Sequence, residues 1–333
     1  MSKSTMPGCF KYGCFGCASV IALVLGLSFL LAAVQFAIVE EDPRPEELQT
    51  ERILPEPPPL PGFPGSEPPV GDPTADAPES VEIQSGPGPT AGVGTLKLDL
   101  QIGDFHVRPG PADEPLRVIA DYDAAKFELK EDWQLEDNGE WTYEVSFGAK
   151  GGFLSLLVGG GNNSKNEVTV IVPRGHPMNI VGQMKMGQSK VDLGGLWLEN
   201  YDLDYGMGEH FVEVREPLPF PMTSFRASGS MGELEIRGLG DASPAAVEVD
   251  HGMGDFFLDL KGAWRNDAEI EASFSMGACR LWVPEDAYID WEGGSVAMGE
   301  SRIELPETSG LAEDAPRLTL SVAGNMGEVT VEY

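Results

Sequence analysis

The chain has 333 residues, of which 41% are hydrophobic and 23% are charged, and its formal net charge is −32 at pH 7. This length is enough for one large domain or two ordinary domains with a buried core. The negative charge excludes nucleic acid and anionic lipid headgroups as partners of the acidic part, because binding either would require neutralised phosphates.

Residues 1–17 contain three of the four cysteines, Cys9, Cys14 and Cys17, whereas Cys279 stands far downstream. A secreted disulfide scaffold would place an even number of cysteines in one compartment, so this class of protein is excluded. Cys14 and Cys17 have the spacing of a metal-binding or redox motif, but neither a second pair nor a neighbouring histidine completes a site. We therefore interpret residues 1–17 as a short cytoplasmic tail beside a membrane.

Residues 18–39 form an uninterrupted apolar run without a charged residue. As an α-helix, this run would measure about 33 Å and would span the hydrocarbon core of a bilayer, which is about 30 Å thick. Lys3 and Lys11 precede it and all 54 acidic residues follow it, so the positive-inside rule predicts a cytoplasmic N-terminus. A cleaved signal peptide is the alternative, but its apolar region would be shorter and would end in a small-residue cleavage site. We predict an uncleaved, single-pass transmembrane helix in the inner membrane.

Residues 40–92 are rich in proline and acidic side chains and are predicted to be a disordered stalk. Residues 42–90 alone contain 14 prolines, ten acidic residues and two arginines. Such a composition cannot bury enough apolar surface to fold, and proline together with like charges favours an extended chain. A proline-rich ligand for an aromatic groove, centred on residues 54–64, is the alternative interpretation.

Residues 93–333 contain a repeat whose recognisable element is the dipeptide Met-Gly. The seven copies are separated by 21, 24, 22, 23, 22 and 28 residues, and a nearly fixed interval in this range is typical of a repeat architecture. We predict that these pairs are structural corner residues: Met186 and Gly187, Met207 and Gly208, Met231 and Gly232, Met253 and Gly254, Met276 and Gly277, Met298 and Gly299, and Met326 and Gly327.

Apolar residues alternate with other residues on both sides of each pair, which predicts β-strands, since successive side chains of a strand leave opposite faces. Around Met231, the apolar positions before the pair are odd-numbered, at Phe225 and Ala227. After the pair they are even-numbered, at Leu234 and Ile236. A bulge or a sharp corner produces such a shift, and glycine can adopt the positive φ that it requires. We predict that each glycine lets a strand turn and that each methionine fills the irregular space inside the corner.

Stacking these units at the usual strand spacing of about 4.8 Å would bury one continuous apolar column. The predicted fold is therefore all-β, a single-stranded β-solenoid of units of about 22 residues over residues 93–333. Residues 97–108 fit the same pattern, with Ile102 and Gly103 in place of Met-Gly. The sequences YEVSF and EVTVIVP predict two further strands. Residues 148–166 predict a long loop between them, whose apolar middle either covers one end of the solenoid or forms a docking tip for lipid or a partner.

Residues 167–214 resemble the bacterial putative-adhesin, or toast-rack, repeat family. Their sequence is EVTVIVPRGHPMNIVGQMKMGQSKVDLGGLWLENYDLDYGMGEHFVEV. In this pattern a strand ends in a turn, here residues 172–175 (Val-Pro-Arg-Gly), and short strands that pivot on glycines follow. The resemblance covers residues 93–333. It implies an envelope-facing β-solenoid, which in this family is often attached to a membrane segment and sometimes to stress-sensing partners, and which has no catalytic residues. The regular Met-Gly pairs and the strong acidity of this chain differ from the family pattern.

The residue after the Met-Gly pair is acidic in five of the seven copies. In a stack, these side chains would form an exposed column of like charges that repel one another unless they are screened. Calcium is a candidate ligand, since hard cations prefer carboxylate oxygens, but the glycine-rich nonapeptides of calcium-binding solenoids are absent from the sequence. A solvated column is the simpler interpretation, and the weak calcium candidates are Glu209, Glu233, Asp255, Glu300 and Glu328.

No catalytic or cofactor-binding residues are predicted. His210 has the inward-facing parity and shares its column with Ser189, so we expect a buried His210 hydrogen-bonded to Ser189 or to a backbone carbonyl. His251 has the inward parity as well. Cys279 occupies the position that Leu234 has in its own unit and is predicted to be a small core residue. Acidic side chains are so numerous that no carboxylate pair of a glycosidase stands out.

These predictions indicate a non-catalytic, membrane-anchored, extracytoplasmic β-solenoid that serves as a binding, adhesion or envelope-scaffolding module. The expected partners are the bacterial membrane, through residues 18–39, and an envelope protein or a second copy of the chain. Neither a nucleic acid nor a small-molecule ligand is expected. The last strand, which runs to Tyr333, is predicted to present an open edge for such a contact. The alternatives are a carbohydrate-active β-helix enzyme and a bactofilin-like polymerising scaffold in the cytoplasm.

Overall fold

The computed structural model describes residues 47–53, 92–111, 115–136, 138–151 and 166–333. These residues contain no α-helix and one short 3-10 helix at Leu239–Asp241; the other regular elements are strands of one large, open sheet. The strands are β1 (Glu47–Ile53), β2 (Gly94–Leu100), β3 (Gly103–Pro109), β4 (Arg117–Asp123), β5 (Phe127–Leu135), β6 (Trp141–Ala149), β7 (Glu167–Val172), β8 (Met178–Asp192), β9 (Leu198–Glu213), β10 (Ser224–Arg237), β11 (Ala246–Asp259), β12 (Ala268–Trp282), β13 (Tyr288–Ile303) and β14 (Arg317–Glu332).

Seven long strands form the regular part of the sheet, and each carries one Met-Gly pair. They are parallel neighbours in the order β8, β9, β10, β11, β12, β14 and β13. Their register places every methionine beside the methionine of the next strand, so that Met231 pairs with Met207 on one side and with Met253 on the other. The sheet is therefore a solenoid-like stack, in which each strand and the loop that follows it form one rung.

An eighth rung, interrupted at its corner, lies next to β8. β2 pairs with the first half of β8, and β3 pairs with the second half. Gly103, at the start of β3, lies beside Gly187 in β8 and has a φ of 151°. The prediction that Ile102 and Gly103 replace a Met-Gly pair in this unit is therefore confirmed.

β6 and β7 continue the two halves of the sheet beyond this rung, since β6 is parallel to β2 and β7 is parallel to β3. Both strands were predicted from the sequence and are confirmed. Most of the predicted loop between them, residues 152–165, lies outside the described residues. β4 and β5 complete this end of the sheet by pairing antiparallel with β7 and β6.

The prediction that residues 40–92 are disordered is wrong for the seven residues of β1, Glu47–Ile53. Glu47–Ile53 pairs in antiparallel register with β4, from Glu47 beside Asp123 to Ile53 beside Arg117. Residues 46–54 are the longest proline-free stretch of the predicted stalk between residues 42 and 90, so their backbone N–H groups can pair with the edge of β4.

The predicted cytoplasmic tail, transmembrane helix and remaining stalk lie outside the described residues. Among the residues that are described, no helix has the length and apolar character that crossing a bilayer demands. The domain boundaries at residues 17, 39 and 92 therefore stay predictions.

The last two rungs are exchanged relative to their order in the chain. β14 lies between β12 and β13 and is parallel to both, so the predicted open edge on the strand that runs to Tyr333 is wrong. The open edge belongs to β13. Residues 304–316 lead the chain back to the start of β14, which accounts for the longest interval between Met-Gly pairs, 28 residues. A register shift between Trp291 and Gly293 interrupts the regular pairing of β13, and such bulges protect sheet edges against unwanted association.

The core is the predicted apolar column, and both halves of every rung contribute to it. In β10, Phe225 and Ala227 are fully buried before the corner, and Leu234 and Ile236 are fully buried after it. The parity change in the sequence therefore keeps both halves against one core. The loops between the long strands add further buried apolar side chains, which include Leu193, Leu196, Leu218, Met222, Leu239, Leu260, Trp264 and Val283.

Candidate functional site: the corners and the outer face

The seven corner glycines have φ angles between 122° and 153°, a region that residues with a Cβ atom rarely occupy. Each also lies against the carbonyl group of the corner glycine in the neighbouring strand. A Cβ atom added to Gly232 would stand 1.9 Å from the carbonyl oxygen of Gly208, and one added to Gly254 would stand 1.9 Å from that of Gly232. Glycine is therefore required at each corner both for its dihedral angle and for the space that a side chain would fill.

The corner methionines are exposed, so the prediction that they fill the inside of the corner is wrong. Six of them are 41–60% exposed and Met186 is partly buried. Gly229 is buried, whereas Ser230 and Met231 are both exposed, so the alternation breaks before the glycine of the pair. The thioether consequently points outward. We call this exposed line the methionine ridge; in the order of the strands it consists of Met186, Met207, Met231, Met253, Met276, Met326 and Met298.

Acidic side chains border the methionine ridge. Glu233 lies beside Glu209 on one side and Asp255 on the other, and Glu328 lies beside Glu300. All five are exposed. Within the described ranges, no three or more His, Cys, Asp or Glu side chains are grouped so that they could hold a metal ion. Calcium binding by these five weak candidates, the alternative to a solvated column, therefore stays untested.

An aromatic patch lies on the outer face of the sheet, in the half of each rung that follows the corner. The rings of Phe257 and Trp282 meet edge to face, with centroids 4.9 Å apart. The Arg237 guanidinium lies 5.5 Å from the centroid of the Phe211 ring and 5.7 Å from that of the Phe257 ring. The Lys261 ammonium lies 5.1 Å from the centroid of the Trp282 ring. Cation–π attraction of about 0.5–1 kcal/mol per contact favours this arrangement. We use "aromatic patch" for these five residues.

The sequence analysis missed the aromatic patch, although a signal was present. Phe211 and Phe257 have the outward-facing parity, and their strands place Glu235 between them in register. Outward positions of a half-exposed sheet usually carry polar side chains. Two aromatic rings at such positions, together with Trp282 at the end of β12, therefore indicate that this surface has a function. The proximity of the three rings could not be predicted from the sequence, because Phe257 follows Phe211 by 46 residues and Trp282 follows Phe257 by 25 residues.

The cavities of the outer face are open and charged. One of about 250 Å³ is lined by charged, polar and aromatic residues: Gln188, Ser189, Lys190, Glu209, His210, Phe211, Glu233 and Glu235. Another of about 460 Å³ is lined mainly by polar and charged side chains from β3, β7, β8 and β9. Sites for small molecules are usually concave and mostly apolar. The outer face therefore suits contact with a large partner better than enclosure of a small ligand.

His210 is buried as the sequence predicted. It is 4% exposed, and its Nδ1 lies 2.9 Å from the hydroxyl oxygen of Ser189, which confirms the predicted pairing. Burial and, to a smaller extent, the neighbouring His251 lower the pKa of His210 from 6.5 to about 4. His251 is also buried; its Nε2 donates to the Gly232 carbonyl at 3.3 Å, and burial lowers its pKa. Both imidazoles are therefore neutral members of the core at pH 7.

The remaining reactive groups of the core do not form a catalytic set. Ser189 and His210 have the spacing of a nucleophile and its base, but both are buried, and among the described residues the Nε2 of His210 has no hydrogen-bond partner that would orient it. Cys279 is 2% exposed, as predicted for a small core residue. Burial raises the pKa of its thiol to about 12, so the thiolate nucleophile does not form at neutral pH.

Several solved structures of bacterial proteins resemble this fold, whereas no family model and no curated protein matches the sequence. A putative cell adhesion protein from Clostridium sporogenes is 13% identical, with a TM-score of 0.39, over 86% of this chain and 99% of that chain. A putative adhesin from Bacteroides fragilis is 12% identical, with a TM-score of 0.35, over 73% of this chain and 94% of that chain.

A putative adhesin from Parabacteroides merdae is 11% identical, with a TM-score of 0.26, over 71% of this chain and 92% of that chain. These structural neighbours are putative adhesins, which is the family that the sequence resemblance named. At such low identity the likeness concerns the fold alone.

Proposed function

We propose that this chain is a non-catalytic binding module of the bacterial envelope, anchored in the inner membrane through residues 18–39, with residues 93–333 outside the cytoplasm. The observation that carries this proposal is the aromatic patch, in which three rings and two cations lie on a rigid parallel sheet. Aromatic and arginine side chains provide much of the binding energy of protein interfaces. The proposed ligand is therefore an envelope protein, or a second copy of this chain, that packs on the aromatic patch.

The surroundings of the patch favour a protein partner over a substrate. The nearby acidic column supplies a polar rim of the kind that surrounds the centre of an interface. Glu235, placed between the strands of Phe211 and Phe257, forms an ion pair with Arg237 of the patch. The open, charged cavities of the outer face do not enclose a small ligand. Ser189 and His210 are only 2% and 4% exposed, and among the described residues the Nε2 of His210 has no hydrogen-bond partner. These features support a binding module rather than the carbohydrate-active enzyme considered from the sequence.

Removal of two rings is expected to weaken partner binding at least about tenfold, because central aromatic residues of interfaces each contribute more than about 1 kcal/mol. The variant is the full chain with Phe257→Ala and Trp282→Ala. Envelope proteins cross-linked to the chain in cells are quantified by mass spectrometry after purification. Phe220→Ala is the matched control, since this ring is 42% exposed but lies against Trp197, outside the patch.

Equal recovery of every partner with the double variant and with the control would contradict the proposal. If the recovered partner is a second copy of the chain, the double variant should instead reduce the mass of the detergent-solubilised assembly. The proposed topology is tested separately, with a reporter enzyme fused after Tyr333 that is active only outside the cytoplasm. Activity confined to a cytoplasmic reporter would exclude the envelope-facing role.

A further inference from the structure

The methionine ridge is not explained by packing of the core. Six of its seven side chains expose 41–60% of their surface, and the core beneath them is filled by other residues. Exposed corners favour polar side chains, as the acidic neighbours of the ridge illustrate. Nevertheless, every long strand places methionine at this position, and none places leucine or valine there. The property that distinguishes methionine from those apolar residues is its polarizable sulfur.

The sheet brings these sulfur atoms to a regular spacing. Met207, Met231 and Met253 are in-register neighbours, so their Cα atoms are one strand spacing apart, about 4.8 Å. A metal–sulfur bond measures about 2.3 Å, so an ion between two opposite sulfur ligands separates them by about 4.6 Å. The three rotatable bonds of methionine allow small adjustments. Neighbouring rungs can therefore offer two thioethers to one ion while the backbone stays in place.

We propose that the methionine ridge binds soft monovalent cations, with Cu(I) as the biological ligand class and Ag(I) as its experimental substitute. Thioethers are soft ligands that select Cu(I), whereas hard cations such as Ca²⁺ prefer oxygen. Seven thioethers in line offer up to about three sites with two sulfur ligands each. Thioethers need no deprotonation to bind a metal, so binding is expected to persist when histidines become protonated.

The charges around the ridge favour a cation. Exposed carboxylates follow the corner glycines in five of the seven strands, and a negative surface raises the local concentration of cations. Among the residues that directly precede the ridge methionines, Lys185 alone is basic, and its ammonium lies 3.1 Å from the Asp99 carboxylate. The other preceding residues are uncharged: Gly206, Ser230, Gly252, Ser275, Ala297 and Asn325.

Equilibrium dialysis of the full chain in detergent against Ag(I) tests this proposal. Cys9, Cys14 and Cys17 are changed to serine in every sample, because their thiols would compete for silver. This chain is expected to bind about three Ag(I) ions. Changing Met207, Met231, Met253 and Met276 together to leucine is expected to leave about one ion, held by the in-register pair Met326 and Met298. Leucine keeps the apolar volume of the ridge and removes its sulfur.

The matched control changes the buried methionines Met178, Met184 and Met222 to leucine and should bind silver like the parent chain. Unchanged silver binding by the ridge variant, or an equal loss in the control, would overturn the proposal. Release of silver at pH 5.5, or its displacement by Zn²⁺, would also overturn it, since either would assign the ions to histidine or carboxylate ligands. Should the fourfold variant fail to fold, the variant with only Met231→Leu and Met253→Leu is expected to bind about one ion fewer.

Discussion

Substitution of Gly232 by alanine is expected to lower the free energy of unfolding by at least about 3 kcal/mol, because strained backbone and steric overlap add at this corner. Gly232 has a φ of 122°, and a Cβ atom there would stand 1.9 Å from the carbonyl oxygen of Gly208. That oxygen belongs to the backbone of the next rung and cannot rotate away. Urea unfolding of the full chain in detergent, followed by tryptophan fluorescence, measures the effect.

Gly175→Ala is the matched control for the dihedral angle alone. Gly175 also has a positive φ, 89°, but nothing lies within 4 Å of an added Cβ atom. This substitution is expected to lower the free energy of unfolding by only about 1–2 kcal/mol, the usual destabilisation when a residue with a Cβ atom adopts a left-handed conformation. If the two variants were equally stable, the close approach of the corner backbones would have no energetic importance, and the account of the repeated glycines would be wrong.

Acidification is expected to destabilise the stack through His210. Burial lowers the pKa of this imidazole from 6.5 to about 4, so the unfolded chain binds a proton more readily than the folded chain between these two pH values. The free energy of unfolding must therefore fall as the pH drops through this window. For this one group the loss between pH 7 and pH 5 amounts to about 2 kcal/mol. Buried His251, whose pKa is also lowered, acts in the same direction.

The test compares the wild-type chain with the variant Ser189→Ala and His210→Leu, which replaces both hydrogen-bonding partners by apolar side chains. Leucine already occupies the same column in the next rung, at Leu234. The variant should lose about 2 kcal/mol less than the wild type between pH 7 and pH 5 in urea unfolding. His106→Gln, at a histidine whose side chain is 34% exposed, is the control and should follow the wild type. Parallel curves for all three chains would show that His210 does not sense pH.

Much of the stack could be predicted because its signals are local. Alternation of apolar residues identifies strands, and the change from Phe225 and Ala227 to Leu234 and Ile236 reveals that each strand turns while keeping one core. The same parity places His210 in the core beside Ser189, at a contact that the structure shows at 2.9 Å. These conclusions need only the geometry of one strand and a regular register between neighbours.

The methionine side chains were misplaced for a specific reason. Parity counted from Phe225 assigns Met231 to the interior, but this count assumes that the turn begins at the glycine. In the structure Ser230 and Met231 are both exposed, so the alternation breaks before the glycine and the methionine faces outward. The residue at which a bulge begins depends on contacts with the adjacent rungs, and nothing in the sequence of a single unit specifies it.

The sequence by itself determined the period of the rungs, the glycines at their corners and the apolar column inside, because alternation and allowed φ angles are properties of each chain segment. Only the tertiary structure decided that β14 enters between β12 and β13, that six of the seven corner thioethers are exposed in one line, and that Phe211, Phe257 and Trp282 share one outer face. These features depend on which strands become neighbours. Strand neighbours are selected by the free energy of the whole stack, in which residues far apart in the chain contribute together.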